Sequence, residues 1–247
     1  MPGIKPFMTR RRWIADEHHG DAAFLTGEHA AHLTRVLRVQ VGQQFDVVVA
    51  GAVRLGTVTA VAADRVELSL GDELPYAQQP ALTLVLAIFK FDRMEWAIEK
   101  CTEIGVARIT PVIVSRTDRY LALAAPKRFE RWRRLVRQAA EQSRRSDVPE
   151  VDQPESLKTA LTAAGPADAA ESRIVLAESE KDLCLTDALA SPVHKAMLAI
   201  GPEGGWTEEE LRTFRQAGWS SVSLGPNILR AETAAIVASA LLLDALR

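Results

Sequence analysis

The feature that most constrains the fold is an alternation of apolar and helical segments after residue 80. Five apolar runs are candidate β-strands: ALTLVLAIF, ARITPVIV, SRIVLAES, KAMLAIG and SSVSLG. Continuous apolar runs of this kind are typical of strands buried on both faces of a mainly parallel sheet. We therefore predict an α/β domain in this part of the chain.

A helix is predicted directly after the first of these strands. Gly105 is suited to end the helix, and Asp92 with Glu95 forms a candidate capping pair at its start. The apolar residues of the segment recur at helical spacing: Met94, Ala97, Ile98, Cys101 and Ile104.

The region before residue 71 has a different pattern of apolar residues. Between Gln43 and Leu70, short β-branched runs are separated by Gly51, Gly56 and an Ala-Ala-Asp turn, which predicts a small antiparallel β unit. The segment GDELPYAQQP, residues 71–80, carries two prolines and is the best linker candidate. We predict two domains, residues 1–75 and 76–247.

Composition gives information on the ligands of the chain and on where it acts. The net charge of the 247-residue chain is −2, so any nucleic-acid surface must come from local segregation of charge. Cys101 and Cys184 lie far apart, which suggests neither a zinc site nor a disulfide framework. The histidines lack companion ligands, so we expect no metal. With no signal peptide and no apolar run near the ~20 residues that span a membrane, we expect a cytoplasmic protein that does not enter membranes.

A glycine-rich turn, GPEGG at residues 201–205, follows one of the apolar strands. A P-loop would need a lysine after its last glycine, but this chain has Trp206 there. A dinucleotide-binding turn would need the spacing GxGxxG, which is also absent. The turn therefore fits neither of the common phosphate-binding motifs.

The segment after this turn argues further against phosphate. Thr207 with Glu210 matches a capping box, and Trp206 with Leu211 matches a hydrophobic staple. Glutamates 208–210 then fill the first helical turn, where they complement the helix dipole and would repel an anion. We expect the loop to bind a neutral or cationic ligand; the alternative is a tight strand-to-helix turn without a ligand.

A second segment has the same order of elements: an apolar strand, the turn Gly225-Pro226 and then a long apolar helix. Two such turns at the carboxyl ends of strands in one sheet would line one crevice, where α/β folds bind ligands. Proline fixes the backbone and glycine allows close approach. Such a site would contact its ligand through backbone N–H and C=O groups, which suits an adenine ring.

Both loops resemble the signature loops of a known family. The segments IGPEGGWTEEEL and SLGPNILRAETA are similar to those of the 16S ribosomal RNA uridine-N3 methyltransferases, of the SPOUT superfamily of knotted S-adenosylmethionine enzymes. The likeness extends to FDRMEWAIEKCTEIGVARITPV, RWRRLVRQAAEQSRR and HLTRVLRV, and so covers nearly the whole chain. Family members usually have phenylalanine at Trp206, arginine at Asn227 and threonine at Ala231, so the family's side-chain roles do not carry over to the last two positions.

The resemblance implies a PUA-like, RNA-binding β-barrel domain at residues 1–75. It also implies a SPOUT methyltransferase domain at 76–247, a mainly parallel α/β sheet with a C-terminal trefoil knot. The protein would act as a homodimer on the small ribosomal subunit, with S-adenosylmethionine as its cofactor. By position, the cofactor-binding residues would be Leu176, Ala177, Glu178, Ile200, Gly201, Pro202, Glu203, Gly204, Gly205, Leu224, Gly225, Asn227, Ile228, Leu229 and Arg230.

Basic residues are locally segregated, as an RNA substrate would require. Residues 126–145 contain eight lysines or arginines against two glutamates, and unbalanced charge of one sign attracts phosphates. The common alternative is a solvated helix face. Trp13, beside Arg10 to Arg12, is a candidate for stacking on a base. The predicted RNA-binding residues are Arg11, Arg35, Arg38, Arg134, Arg137, Arg144 and Arg145.

Methylation at uridine N3 requires removal of a proton and stabilisation of the charge that spreads onto O2 and O4. Arg230 is the first candidate for the stabilising cation; its alternative is to brace the cofactor loop. Glu232 is expected to hold that arginine or to act as the base, unless it is simply a helix N-terminal acid. Glu141 and Arg145 are further candidates.

Two other functions remain open at this point. One is a related SPOUT enzyme that methylates the ribose 2′-hydroxyl of another RNA. The other is a non-catalytic RNA-binding protein of ribosome assembly that has kept the knot.

Overall fold

The computed structural model describes residues 11–75, 80–166, 171–188 and 195–246. The chain divides into two compact units, residues 1–78 with 141–147, and residues 79–140 with 148–247. The proposed linker at residues 71–80 is wrong in its first part, because a strand continues to Glu73 and the backbone of Leu74 still bonds to Val53. Its residues 76–79 lie outside the described part of the chain.

The first unit is built on one six-stranded sheet. The strands pair in the order β1-β4-β5-β6-β3-β2, antiparallel except for β1 with β4. A short helix α1, Gly27–Ala31, continues into a π-helical turn, His32–Val36. The strands are β1 Arg12–Ile14, β2 Glu17–His19, β3 Ala22–Thr26, β4 Gln44–Val49, β5 Ala52–Val61 and β6 Arg65–Glu73.

The second unit contains a wholly parallel sheet. Its strands follow the order β10-β8-β7-β12-β11-β13, and β9 also pairs with β8. All five strands predicted after residue 80 are present, and the predicted parallel α/β fold is confirmed. The strands are β7 Ala81–Ala87, β8 Arg108–Ile113, β9 Glu150–Val151, β10 Glu155–Ser156, β11 Glu171–Leu176, β12 Lys195–Ile200 and β13 Ser220–Val222.

Helices cover both faces of this sheet. Adjacent residues of β7 show the division, because Leu84 belongs to the core beneath α2, α4 and α8, whereas Val85 belongs to the core beneath α5 and α7. The helices of this unit are α2 Phe91–Ile104, α3 Arg119–Ala124, a 3₁₀ turn at Ala125–Arg128, α4 Phe129–Gln142, α5 Leu157–Ala163, α6 Leu185–Ala188, α7 Glu208–Gln216 and α8 Ala231–Ala245. Within the described ranges, no helix has the length and apolar character needed to cross a bilayer.

Helix α2 confirms the predicted apolar stripe and ends at Gly105, whose φ of 122° favours glycine. The predicted cap is wrong. The N-cap residue is Lys90, which makes no side-chain capping bond, and Asp92 lies inside the first turn. Glu95 instead accepts two hydrogen bonds of 2.7 Å from the guanidinium of Arg131 on α4.

Candidate functional site

A cavity of about 360 Å³ lies at the carboxyl ends of β11, β12 and β13. Three loops form most of its wall, at residues 176–178, 200–206 and 222–231. Its volume falls in the range of small-molecule sites, about 300–1,000 Å³, and its place in the sheet is where open α/β folds bind ligands. The two glycine-rich turns therefore share one crevice, as predicted.

The cavity brings together all but one of the residues expected to bind a cofactor. Gly204 does not line it, because this glycine faces Arg116, whose Cδ would lie 3.2 Å from an added Cβ. The expected residues that do line the wall are Leu176, Ala177, Glu178, Ile200, Gly201, Pro202, Glu203, Gly205, Leu224, Gly225, Asn227, Ile228, Leu229 and Arg230.

Trp206 connects two of the three loops. Its indole Nε1 donates a hydrogen bond of 2.9 Å to the carbonyl of Leu176, at the end of β11. A Cβ on Gly201 would lie 3.2 Å from the same nitrogen, so any larger residue there would displace the indole. A phenylalanine at position 206 could not make this bond, because its ring has no donor.

The outer side of the first loop is held by a separate set of bonds. The guanidinium of Arg116 donates to the carbonyls of Gly204 and Trp206. The predicted capping box is confirmed, since Thr207 and Glu210 bond reciprocally. Glu210 also accepts a 2.8 Å bond from the backbone of Ser115. Burial alone would raise the pKa of Glu210, but these backbone N–H donors outweigh it and lower the pKa.

The second loop turns at Gly225, whose φ is 103°, a conformation that costs other residues strain. Arg230 lies at its end, as the N-cap residue of α8, and its exposed side chain lines the cavity. Within the described residues this side chain forms no ion pair or hydrogen bond. Arg230 is therefore a cation available to a ligand in the crevice.

Arg93 also lines the cavity wall, and it is not among the residues predicted from the sequence. Its Nη1 lies 3.7 Å from Oε1 of Glu203, and its Nε lies 3.9 Å from Oε1 of Glu232. Glu232 is 5% exposed, and its other carboxylate oxygen is buried without a hydrogen-bond partner. Glu232 thus pairs with Arg93 and not with Arg230. The available signal was a cation in the first turn of α2, where the helix dipole disfavours positive charge.

Glu141, a further catalytic candidate, lies in a charge cluster of the first unit. His29 contacts Asp16 through Nδ1 at 2.9 Å and Glu141 through Nε2 at 3.1 Å. The bonds to Asp16 and Glu141 raise the pKa of His29 to about 9 against the opposing effect of burial. The ring is therefore protonated at neutral pH, and the carboxylate of Glu141 is engaged by it.

The predicted RNA-binding arginines have different environments. Arg11, Arg35, Arg38, Arg134 and Arg144 are exposed, and Arg137 is half-buried. Arg38 and Arg144 have left-handed backbone, with φ of 49° and 59°, a strain that occurs preferentially at functional positions. Arg145 is 3% exposed and pairs with Asp147, so in this arrangement it does not present its charge to solvent. Its role in RNA binding stays a prediction.

Two expectations about the basic clusters are wrong. The arginines of residues 126–145 are not without balancing acids, because Glu95 of α2 pairs with Arg128 and Arg131. Trp13 is not available for stacking on a base, because it is 9% exposed within the core of the first unit. One edge of its ring contacts His29 instead. Neither partner could be identified from local sequence.

The other titratable groups among the described residues give no second reactive centre. Within the described part of the chain, no three His, Cys, Asp or Glu side chains are grouped to hold a metal ion. Both cysteines are free thiols, and complete burial raises the pKa of Cys101 to about 12, which leaves it unreactive at neutral pH.

Comparison with known proteins identifies the family. Residues 77–243 match the model of the RNA methyltransferase domain, and residues 25–71 match the RNA methyltransferase PUA domain. The chain is 35% identical to ribosomal RNA small subunit methyltransferase E of Synechocystis over 94% of this chain and 77% of that protein. It is 32% identical to the Mycobacterium bovis protein of the same name, over 89% and 85% of the two chains.

A solved structure supports the same family assignment. The structure of ribosomal RNA small subunit methyltransferase E from Neisseria gonorrhoeae, bound to S-adenosylmethionine, superposes with a TM-score of 0.83 at 29% identity, over 95% of this chain and 97% of that one. With the PUA match, this confirms the predicted fold class of a PUA-like N-terminal β unit before a methyltransferase α/β sheet. The chain belongs to the RNA methyltransferase family that contains the ribosomal RNA small subunit methyltransferase E proteins.

Proposed function

We propose that this protein transfers the methyl group of S-adenosylmethionine to N3 of a uridine in 16S ribosomal RNA of the small subunit. The observation that carries the proposal is the crevice between the two Gly-Pro turns, in a chain that belongs to an RNA methyltransferase family. The N3 position rests on the sequence resemblance described above.

The residues of the cavity fit S-adenosylmethionine in size and chemistry. Among the lining residues, Leu176 and Ile200 end strands β11 and β12, and Leu224 lies two residues after β13. These apolar side chains suit an adenosine. The acidic group of Glu203 faces the cavity and suits a cation. The bound cofactor supplies an electrophilic methyl group on a positively charged sulfur.

Arg230 is assigned to the uridine. An exposed guanidinium on the cavity wall can stabilise the negative charge that O2 and O4 gain as N3 loses its proton. Glu232 is buried behind Arg93, so we assign it to positioning Arg93 and not to taking the proton. Glu141 stays a candidate base whose carboxylate would first have to leave His29.

RNA binding and methyl transfer are assigned to different parts of the chain. We assign RNA binding to the PUA-like domain, residues 1–75, and to Arg134 and Arg137 of α4. We assign methyl transfer to residues 76–247, with a trefoil knot formed by the C-terminal segment. A homodimer would cover apolar side chains that α8 and its preceding loop expose, among them Ile228, which is 80% exposed, and Leu241. The protein would act in the cytoplasm, on the small subunit.

The test is methylation in vitro with methyl-labelled cofactor and small subunits or 16S RNA that lack the modification. Nuclease digestion and mass spectrometry would identify the product nucleoside. We expect 3-methyluridine from the wild-type protein and none from Arg230→Ala, which should remain folded because its side chain is exposed. A ribose-methylated product would support the 2′-hydroxyl alternative, and absence of cofactor binding would support the non-catalytic one.

A further inference from the structure

A second cavity, of about 650 Å³, lies in the same unit between α4 and residues 148–152. We call it the α4 groove. It shares no lining residue with the cofactor cavity. We propose that the α4 groove binds one nucleotide of the single-stranded substrate RNA, with its phosphate on the arginines of α4; the proposal rests on the RNA substrate inferred above.

The α4 side of the groove carries arginines on successive helical turns. Arg133, Arg134 and Arg137 all line it, because residues three and four apart share one face of a helix. Arg134 is exposed, and its side chain forms no ion pair or hydrogen bond within the described ranges. Glu130 also lines this wall and lies 3.5 Å from Arg133, a distance at which an exposed pair is weak. This wall therefore offers guanidinium groups suited to a phosphate.

Apolar side chains from both sides also line the groove. Phe129, Val136, Val148 and Val151 line it, and the guanidinium of Arg133 lies 5.6 Å from the centre of the Phe129 ring. Aromatic rings and arginine planes are the surfaces on which unpaired bases stack in complexes with single-stranded RNA. A base bound in the groove would cover this apolar surface. A bare phosphate or an inorganic ion would leave it exposed to water.

The opposite wall carries fixed hydrogen-bond acceptors. Asp152 is held by Arg108 at 2.7 Å and by the hydroxyl of Thr110 at 2.7 Å, and Arg108 also binds Glu150. These carboxylates repel a phosphate from their own side, so the phosphate must face α4. They accept hydrogen bonds from donors such as a ribose 2′-hydroxyl, the group that distinguishes RNA from DNA. The two walls together orient a ribonucleotide.

The test compares two arginines of one helix. Arg134→Ala removes a charge from the groove, whereas Arg131→Ala removes the same charge from a residue that is bound to Glu95 and does not line the groove. Affinity of the full-length protein for a labelled single-stranded fragment of 16S RNA would be measured by fluorescence anisotropy over a range of salt concentrations. Thermal melts of both variants establish that they are folded.

We expect Arg134→Ala to weaken RNA binding by about tenfold and to reduce the salt slope by about 0.7, the value for one contact to a single-strand phosphate. Arg131→Ala should change affinity by less than about twofold, as expected for a charge outside the site. The DNA oligonucleotide of the same sequence should bind the wild type more weakly. Equal effects of the two variants, or equal affinity for RNA and DNA, would overturn the inference.

A third variant tests the apolar lining of the groove without changing charge. Val151→Trp would fill the groove and should weaken RNA binding while leaving S-adenosylmethionine binding unchanged in calorimetry. Normal RNA affinity in this folded variant counts against the groove. Failure of the proposed function looks different: the wild type would still bind RNA through the groove but would form no 3-methyluridine.

Discussion

The guanidinium of Arg93 lies 3.9 Å from the buried carboxylate of Glu232 and reaches Glu203 on its other side. It joins the first glycine-rich loop to the start of α8 across the cavity wall. Since a buried carboxylate that loses its counter-ion is strongly destabilising, this pair couples the stability of the α/β unit to the shape of the cofactor site.

Arg93→Met is therefore expected to lower the free energy of unfolding by about 2 kcal/mol. The double variant Arg93→Met/Glu232→Gln should recover part of this loss, because the unpaired charge is then absent. Urea unfolding of the wild type, both single variants and the double variant gives the coupling energy. A coupling energy of zero would show that the two side chains do not interact.

Glu203 is expected to favour binding of the positively charged S-adenosylmethionine over that of S-adenosylhomocysteine, which has no charge on its sulfur. S-adenosylmethionine carries a positive sulfur that S-adenosylhomocysteine lacks, so Glu203→Gln should reduce the preference for the first over the second by about fivefold to tenfold. Calorimetric titration with each ligand measures this ratio. Glu208→Gln, an exposed acid that does not line the cavity, is the matched control. An unchanged ratio in Glu203→Gln would show that this carboxylate only shapes the turn.

Trp206→Phe tests the bond between the two cofactor loops. It keeps an aromatic ring beside Phe214, which Trp206 contacts edge to face, but removes the donor to Leu176. We expect a loss of about 1 kcal/mol in unfolding free energy and weaker cofactor binding by a few fold. Denaturant unfolding and calorimetry measure the two effects. Unchanged values for both would show that the bond contributes nothing to the site.

The cluster of His29, Asp16 and Glu141 predicts a dependence of stability on pH. The folded-state pKa of about 9 lies above the ordinary value of 6.5. Between these two pH values the folded state keeps a proton that the unfolded state has already released. The stabilisation is complete below pH 6.5 and is lost as pH rises to about 9. His29→Gln should lower stability by about 1–3 kcal/mol at pH 6 and should remove this decline. Equal slopes for the two proteins between pH 6.5 and 9 would contradict the assignment.

Local sequence predicted the elements whose determinants are local. The five strands after residue 80 and the capping box of Thr207 with Glu210 depend on neighbouring residues, and all are present. The paired Gly-Pro turns predicted a common crevice because parallel strands end at one edge of a sheet.

What the sequence did not predict depends on contacts between distant segments. Glu95 was assigned to a cap but binds Arg131, 36 positions away. Trp13, a candidate for stacking on a base, lies in a core to which five of the six strands contribute. Arg93 reaches acids more than a hundred residues further along the chain, and no periodicity or spacing indicates such a partner.

The most direct test of the account is mass spectrometry of 16S RNA from cells that lack the gene. We expect a 3-methyluridine to be absent from that RNA, to return with the wild-type gene and to stay absent with Arg230→Ala. A 3-methyluridine that persists in the deletion strain, with no other methylation lost, would contradict the proposed activity.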